Sequence, residues 1–274
     1  MQTFAESSRL KGKIIGFVPT MGALHKGHIK LIEMAVKKAD LVVVSIFVNP
    51  AQFGPHEDYS RYPRAFKADC NKIEEAGASI VFHPSVSDIY PADYSTYIDI
   101  GPIGEILEGE RRPGHFRGVA IICAKLFNIT KPHFAVFGQK DGQQLAVIRK
   151  MVRELNFDLQ IIRGPIVRTS SGIAMSSRHL YLDEADLKKA VVIKQSLDLA
   201  ASLIKSGMRS AKSIELRMRQ HILAAPGADI DYISFNRWDD LAPIKSLAGE
   251  IIISLVVKFN NVRLLDNLII KIPS

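Results

Sequence analysis

Ile14-Ile15-Gly16-Phe17-Val18-Pro19-Thr20-Met21-Gly22-Ala23-Leu24-His25-Lys26-Gly27-His28 is the stretch that sets the reading of this chain. An apolar run at 14–18 enters a tight turn, and the turn opens a helical pattern with Ile29, Ile32, Ala35, Val36 and Ala39 on one side. That is strand, turn, helix. Gly22 and Gly27 let the backbone approach a ligand closely, while His25 and His28, three apart at the mouth of a helix, can aim both imidazoles at one point. Free N–H groups and the positive end of the helix dipole favour an anion there, and imidazole donors can follow charge as it builds on a phosphoryl group. A phosphate chain is the expected guest. Two plainer readings stand beside it. A His-x-x-His pair can bind zinc, although a closed site needs further ligands and Cys70 and Cys123 form no C-x-x-C pair. His28 can also be a capping or core histidine in an ordinary glycine turn.

The 274 residues, 47% hydrophobic and 23% charged, suffice for one large core or two modest ones. No early stretch has the build of a secretory signal, and no apolar run approaches the roughly 20 residues that cross a bilayer. A soluble cytoplasmic enzyme without a membrane partner is the expectation. Two unlinked cysteines suggest reduced structural thiols, and neither is a candidate nucleophile. The formal charge of +8 attracts anions generally. Basic residues are scattered in pairs such as Lys37-Lys38 and Arg111-Arg112, without a stripe interleaved with aromatics. No nucleic acid partner is therefore expected.

Strand-like runs at 14–18, 41–48, 79–82, 133–137 and 159–162 alternate with helical patterns at about 28–39, 65–76, 117–129 and 141–156. The alternation predicts an α/β fold, a parallel sheet with helices on both faces. Ligands in such sheets bind beyond the carboxyl ends of the strands, where the loops at 21–28, 49–54 and 138–141 would emerge together. After Arg178 come helical stretches at about 184–205 and near 211–223 and strand-like runs at 230–235, 250–259 and 262–270, which read as a smaller C-terminal α+β domain. The expected division is 1–168, a hinge at 169–178 carrying Thr169-Ser170-Ser171-Gly172, and a lid domain at 179–274.

Four further segments carry chemistry-bearing side chains. Asn49 and Gln52, in Val48-Asn49-Pro50-Ala51-Gln52-Phe53-Gly54, offer amides suited to orienting a hydroxylated substrate or simply to satisfying loop backbone. In Phe137-Gly138-Gln139-Lys140-Asp141-Gly142-Gln143-Gln144, Asp141 can cap the following helix, Gly138 permits close approach, and Lys140 supplies a charge for phosphate or a solvated surface lysine. Ala174-Met175-Ser176-Ser177-Arg178 brings two hydroxyls and a guanidinium to the hinge, a weak signal alone. The loop at 107–118, dense in charge, reads equally as a surface turn or a site.

In order, PTMGALHKGH at 19–28, FVNPAQFGPHEDYSRYPR at 47–64, RPGHFRGV at 112–119, FGQKDGQQL at 137–145 and SGIAMSSRHLYL at 171–182 resemble the pantothenate synthetase family. These are pantoate–β-alanine ligases that form AMP, within the nucleotidyltransferase-like, Rossmann-like folds with a His-x-Gly-His signature. The resemblance spans nearly the whole chain. It implies that Met21, Gly22, Ala23, Leu24, His25, Lys26, Gly27 and His28 bind ATP, with His28 the catalytic proton donor and His25 beside it. Gly138, Gln139, Lys140, Asp141, Val167, Met175, Ser176, Ser177 and Arg178 would line the same ATP site, with Lys140, Ser176 and Arg178 catalytic at the phosphates. Gln52 and Gln144 would hold pantoate, and Gln52 would also face β-alanine. The implied partners are these small molecules and a second copy in a homodimer formed through the larger domain, with Mg²⁺ carried by the ATP phosphates and no protein metal site. The implied reaction runs through pantoyl adenylate to pantothenate, AMP and pyrophosphate, with closure at the domain junction excluding water.

Lys26 stands where the family usually has Glu, Gly142 where it has a residue with a side chain, Ile121 where it has Thr, and His179 where it has Asn. The chain also starts closer to its first strand than its relatives do, a difference expected to touch edge packing rather than the site. Two other functions share some of these features. A transferase moving AMP to a phosphorylated acceptor would share the histidine turn but need another anion site. A nucleic-acid-binding protein would use the charge and bind with steep salt dependence.

Overall fold

The run at 14–18 does become a strand. The computed structural model describes residues 1–55, 57 and 59–272, and of Ser177 and Leu180 only the backbone. Strands β1 (Ile15–Thr20), β2 (Leu41–Ile46), β3 (Ile80–Phe82), β4 (Phe134–Gly138) and β5 (Gln160–Gly164) form one parallel sheet in the order 3-2-1-4-5. Order reverses between β1 and β4, and the ligand crevice of such a sheet opens at the carboxyl ends flanking that reversal. Thr20 and Gly138 are the last residues of those two strands. The turn at 21–28 therefore leaves from the switch point.

Alternation along the strands assigns their two faces. Val18, Val42, Val44, Ile46, Phe134 and Val136 share one core cluster with Leu31, Ile32 and Ala35 of α2 (Lys26–Val36) and Ile73 of α3 (Phe66–Glu75). A side chain on Gly16 would meet the Phe134 ring at 2.7 Å, which is why that strand position carries none. On the opposite face Phe17 and Phe137 meet Phe127 edge to face, with centroids 6.2 and 6.3 Å apart. Phe127 lies on α6 (His115–Thr130), which is preceded by the short helices α4 (Val86–Ile89) and α5 (Glu108–Arg111). The fold is Rossmann-like, as the alternation predicts. Besides the short α4 and α5, the expectation lacks α1 (Gln2–Leu10), which buries Ala5 and Ser8 and whose Arg9 donates to the Lys131 carbonyl and to Asp158.

The chain packs as two units, residues 1–138 with 147–165, and residues 139–146 with those from Ile166 onward. Relative to the division at 168 read from the sequence, 139–146 and 166–168 group with the second unit. Helix α7 (Gly142–Glu154) thus starts in a segment of the second unit and continues into the first. In the second unit β6 (Asp229–Arg237), β7 (Glu250–Phe259) and β8 (Val262–Lys271) make an antiparallel sheet in that order. Central β7 is buried almost end to end, as IIISLVV requires. Its Ile251, Ile253, Leu255 and Val257 join Ile193 and Leu197 of α8 (Glu184–Lys205) and Ile214 and Met218 of α9 (Ala211–Leu223) in one core. Among the described residues no helix is long and apolar enough to cross a membrane.

Candidate active site

His25 is the N-cap of α2, and the two histidines cap the helix reciprocally. His25 Nδ1 accepts the Gly27 N–H at 3.1 Å and His28 Nδ1 accepts the His25 N–H at 3.3 Å. The capping reading of His28 is therefore correct, and it is compatible with the functional one. A neutral imidazole that accepts at Nδ1 carries its proton at Nε2, so capping makes Nε2 of both rings the donor. The rings lie 4.1 Å apart, and the first turn of α2 contains no acidic residue to oppose the helix dipole.

The expectation of free backbone N–H groups in this turn needs correction. Gly22 N–H goes to Thr20 Oγ1, His28 N–H to the His25 carbonyl, and those of Ala23 and Leu24 to the two oxygens of Asp69, both at 2.8 Å. Asp69, on α3, is 1% exposed. Its neighbour one turn on, Lys72, donates to the Leu24 carbonyl at 2.7 Å. The turn needs such an anchor because Gly22 and Ala23 both have positive φ, 82° and 52°. Asp69 thus occupies the concavity a phosphate was expected to use, which leaves anion recognition by this turn to the imidazole Nε2 donors and the helix end.

Gln52 ends the short helical turn Pro50–Gln52, is 9% exposed, and donates from Nε2 to Met21 Sδ at 2.8 Å. The first unit thereby joins the glutamine loop to the histidine turn. The charged loop before α6 proves to be its support. His115 Nδ1 donates to the Gln52 carbonyl at 2.8 Å, and Arg112 reaches the same carbonyl at 3.3 Å while forking onto Glu57 at 2.7 and 2.6 Å. The bonds from Arg112 hold the Glu57 carboxyl below its ordinary pKa, against the opposing effect of burial. Asn49 Nδ2 donates to the Gly118 carbonyl at 3.0 Å. A Cβ at Gly118 would sit 2.0 Å from the Ala51 carbonyl oxygen, so α6 touches this loop only because 118 is glycine. Gly118→Ala is expected to cost about 1–3 kcal/mol in urea unfolding, because the clash is with backbone; an unchanged midpoint would mean the loop moves aside freely.

In the second unit Asn267, 2% exposed on β8, donates from Nδ2 to the carbonyls of Gln139 and Lys140 at 2.8 and 2.9 Å, and its Oδ1 accepts from Gln139 Nε2. Lys140 is held 3.0 Å from Asp141 in the turn that opens α7. Gly142 accommodates this arrangement, since a Cβ there would meet Ile252 Cδ1 at 2.6 Å and Asn267 Nδ2 at 3.2 Å. Gln144 follows on α7, half-buried. Met175 N–H donates to the Val167 carbonyl, and Arg168 forks onto Asp266, drawing these two predicted residues together. Ser176 Oγ caps the next turn through the Arg178 N–H at 3.2 Å. The side chain of Ser177 lies outside the described residues. His179 is pushed below its ordinary pKa by burial and then by Lys140, so at neutral pH it adds no charge.

Sequence reasoning missed Asp69, Lys72, Arg112, His115, Gly118, Arg168 and Asn267 as supports. A cavity of about 270 Å³ opens beside the histidine turn, lined by Met21, Gly22, Phe47, Arg64, Asp69 and His83 among others. Burial pushes the Cys123 thiol up to about 12, so it stays protonated and is no nucleophile. Among the described residues no group of three or more His, Cys, Asp and Glu could hold a metal ion.

Known proteins share this architecture over their whole length. The chain is 49% identical over 270 residues to the pantothenate synthetase of Chloroherpeton thalassium, covering 97% of this chain and 95% of that one. The solved pantothenate synthetase of Thermus thermophilus superposes with a TM-score of 0.89 at 39% identity, over 95% of this chain and 96% of the other. The pantoate–β-alanine ligase of Francisella tularensis, complexed with beta-gamma ATP and beta-alanine, gives 0.75 at 34% identity, over 97% and 94%. The family described as pantoate-beta-alanine ligase matches residues 1–269, and this chain belongs to it.

Proposed function

We propose that the chain condenses pantoate with β-alanine to give pantothenate, at the cost of ATP cleaved to AMP and pyrophosphate, through an enzyme-bound pantoyl adenylate. The observation that carries the chemistry is the reciprocal capping of α2, which turns the Nε2 donors of His25 and His28 into a fixed pair at the sheet's switch point. A complex of a related ligase with beta-gamma ATP and beta-alanine supports the substrate classes.

A carboxylate is a poor electrophile, so it must be activated before an amine can attack. A pantoate carboxylate oxygen attacks the α-phosphorus, the bond to the bridging oxygen breaks, and pyrophosphate leaves. His28 donates to the phosphoryl oxygens as charge grows on them, with His25 beside it, and Lys140, Ser176 and Arg178 add positive charge and hydrogen bonds at the phosphates. The residues 21–28 and 138–141, with Val167, Met175 and Ser177, bind the rest of ATP. Gln52 and Gln144 orient pantoate, and Gln52 also faces β-alanine. Mg²⁺ would be held mainly by the ATP phosphates, a hard cation on oxygen ligands, and would supply charge stabilisation there. The free amine of β-alanine then attacks the acyl carbon, and AMP leaves with one oxygen of the former carboxylate. No protein nucleophile is needed. The resemblance further supports a homodimer and a cytoplasmic setting; sedimentation at assay concentration tests the first.

Pantoate labelled with ¹⁸O in its carboxylate tests the route. Transfer of one label to AMP is the expected result, and label confined to pantothenate and pyrophosphate would overturn it.

A further inference from the structure

Tyr90, next after α4, donates from its hydroxyl to Asn49 Oδ1 at 2.7 Å. The direction is certain because every other valence of the Asn49 amide is used. Its Nδ2 donates to the Gly118 carbonyl at 3.0 Å and to Gln52 Oε1 at 3.2 Å, and its Oδ1 also accepts the Ala51 N–H at 3.3 Å. A flipped amide would set oxygen against the Gly118 carbonyl and N–H against N–H at Ala51, so backbone on two sides forbids the flip.

The consequence passes to Gln52. With Oε1 held by Asn49, the end of Gln52 turned elsewhere is Nε2, whose contact is Met21 Sδ, a weak acceptor. That N–H is matched to a stronger acceptor, the carboxylate or hydroxyl oxygen of a hydroxy acid, and mismatched to an amide N–H or an ammonium. We infer that Tyr90 is a positioning residue: Gly118 and Ala51 set which way the Asn49 amide faces, and the Tyr90 hydroxyl holds that side chain in place, so that Asn49 presents Gln52 to pantoate as a hydrogen-bond donor. This rests on the reading above that Gln52 holds pantoate.

The surroundings suit a constant donor. Burial first, and then Tyr94 and Cys123, push the Tyr90 phenol above its ordinary pKa, so it keeps its proton at any working pH. Lys125 places its ammonium over the faces of Tyr94 and Tyr90, 4.4 and 5.6 Å from their centroids, which fixes the rings without competing for the hydroxyl.

The test is steady-state kinetics of Tyr90→Phe, Gln52→Ala and the double variant, with Tm recorded for each. Tyr90→Phe keeps the ring and its cation contact. It is expected to raise the pantoate KM about five- to tenfold, the worth of one neutral hydrogen bond, with the ATP KM unchanged and kcat within about twofold. In the Gln52→Ala background it should raise the pantoate KM no further. An unchanged pantoate KM in Tyr90→Phe, with a raised one in Gln52→Ala, overturns the inference and leaves the role of Gln52 standing. A full additive penalty in the double variant also overturns it, since Tyr90 would then act without Gln52. An unchanged pantoate KM in Gln52→Ala overturns the role of Gln52 itself. If Tyr90→Phe does not fold, Asn49→Ala decides: it removes the link between Tyr90 and Gln52 without setting an oxygen against the Gly118 carbonyl, so the pantoate KM must rise at least about five- to tenfold, and an unchanged one refutes the relay.

Discussion

His28→Ala is expected to lower kcat about 10²- to 10³-fold, the usual cost of losing one donor aimed at developing charge, while folding loses only about 1 kcal/mol of helix capping. The disparity follows from the two ends of one ring. Nδ1 accepts the His25 N–H, a local bond that water or a shifted side chain can replace. Nε2 has no substitute in alanine. Single-turnover rates of pyrophosphate release, with urea unfolding alongside, measure both ends separately. A variant that unfolds readily but turns over normally would make His28 a cap and nothing more.

Asp69→Ala should act in the opposite proportion on stability. Its two oxygens satisfy the N–H groups of Ala23 and Leu24 in a turn with two consecutive positive φ angles, and nothing in alanine can take them. A loss of about 2–4 kcal/mol in urea unfolding is expected, from one buried and one part-buried donor left without acceptors. Activity should fall with it at temperatures where the variant is still folded, because the turn that Asp69 pins ends in the N-cap His25. Asp69→Asn separates the effects: one amide oxygen can still accept one N–H, so stability should recover in part. Full stability in Asp69→Ala would show that the turn holds itself.

How legible this was in the sequence depended on the range of the interaction. The elements α8, α9 and β7 were readable closely, because two long helical patterns and one continuous apolar run are local signals. Histidines three apart at a helix mouth are likewise a local pattern. Helix α1 escaped notice because it buries only Ala5 and Ser8, too little for a stripe. Supports acting from a distance in sequence left no trace. Asp69 meets a turn 46 residues earlier, and Asn267 fastens Gln139 from 128 residues away. Neither carries a motif, and each reads as an ordinary polar residue in its own element. The loop at 107–118 was visible but ambiguous, since only the fold reveals that Arg112 and His115 share the Gln52 carbonyl. The expectation of free amides in the histidine turn failed for the same reason: Asp69, which takes two of them, lies on another helix.

Pyrophosphate-to-ATP isotope exchange, run with Mg²⁺ and pantoate and without β-alanine, asks directly whether this chain makes the acyl adenylate. Exchange that depends on pantoate and disappears in His28→Ala is the expected result. Absence of exchange from folded protein that binds both ATP and pantoate, or exchange indifferent to pantoate, would contradict it.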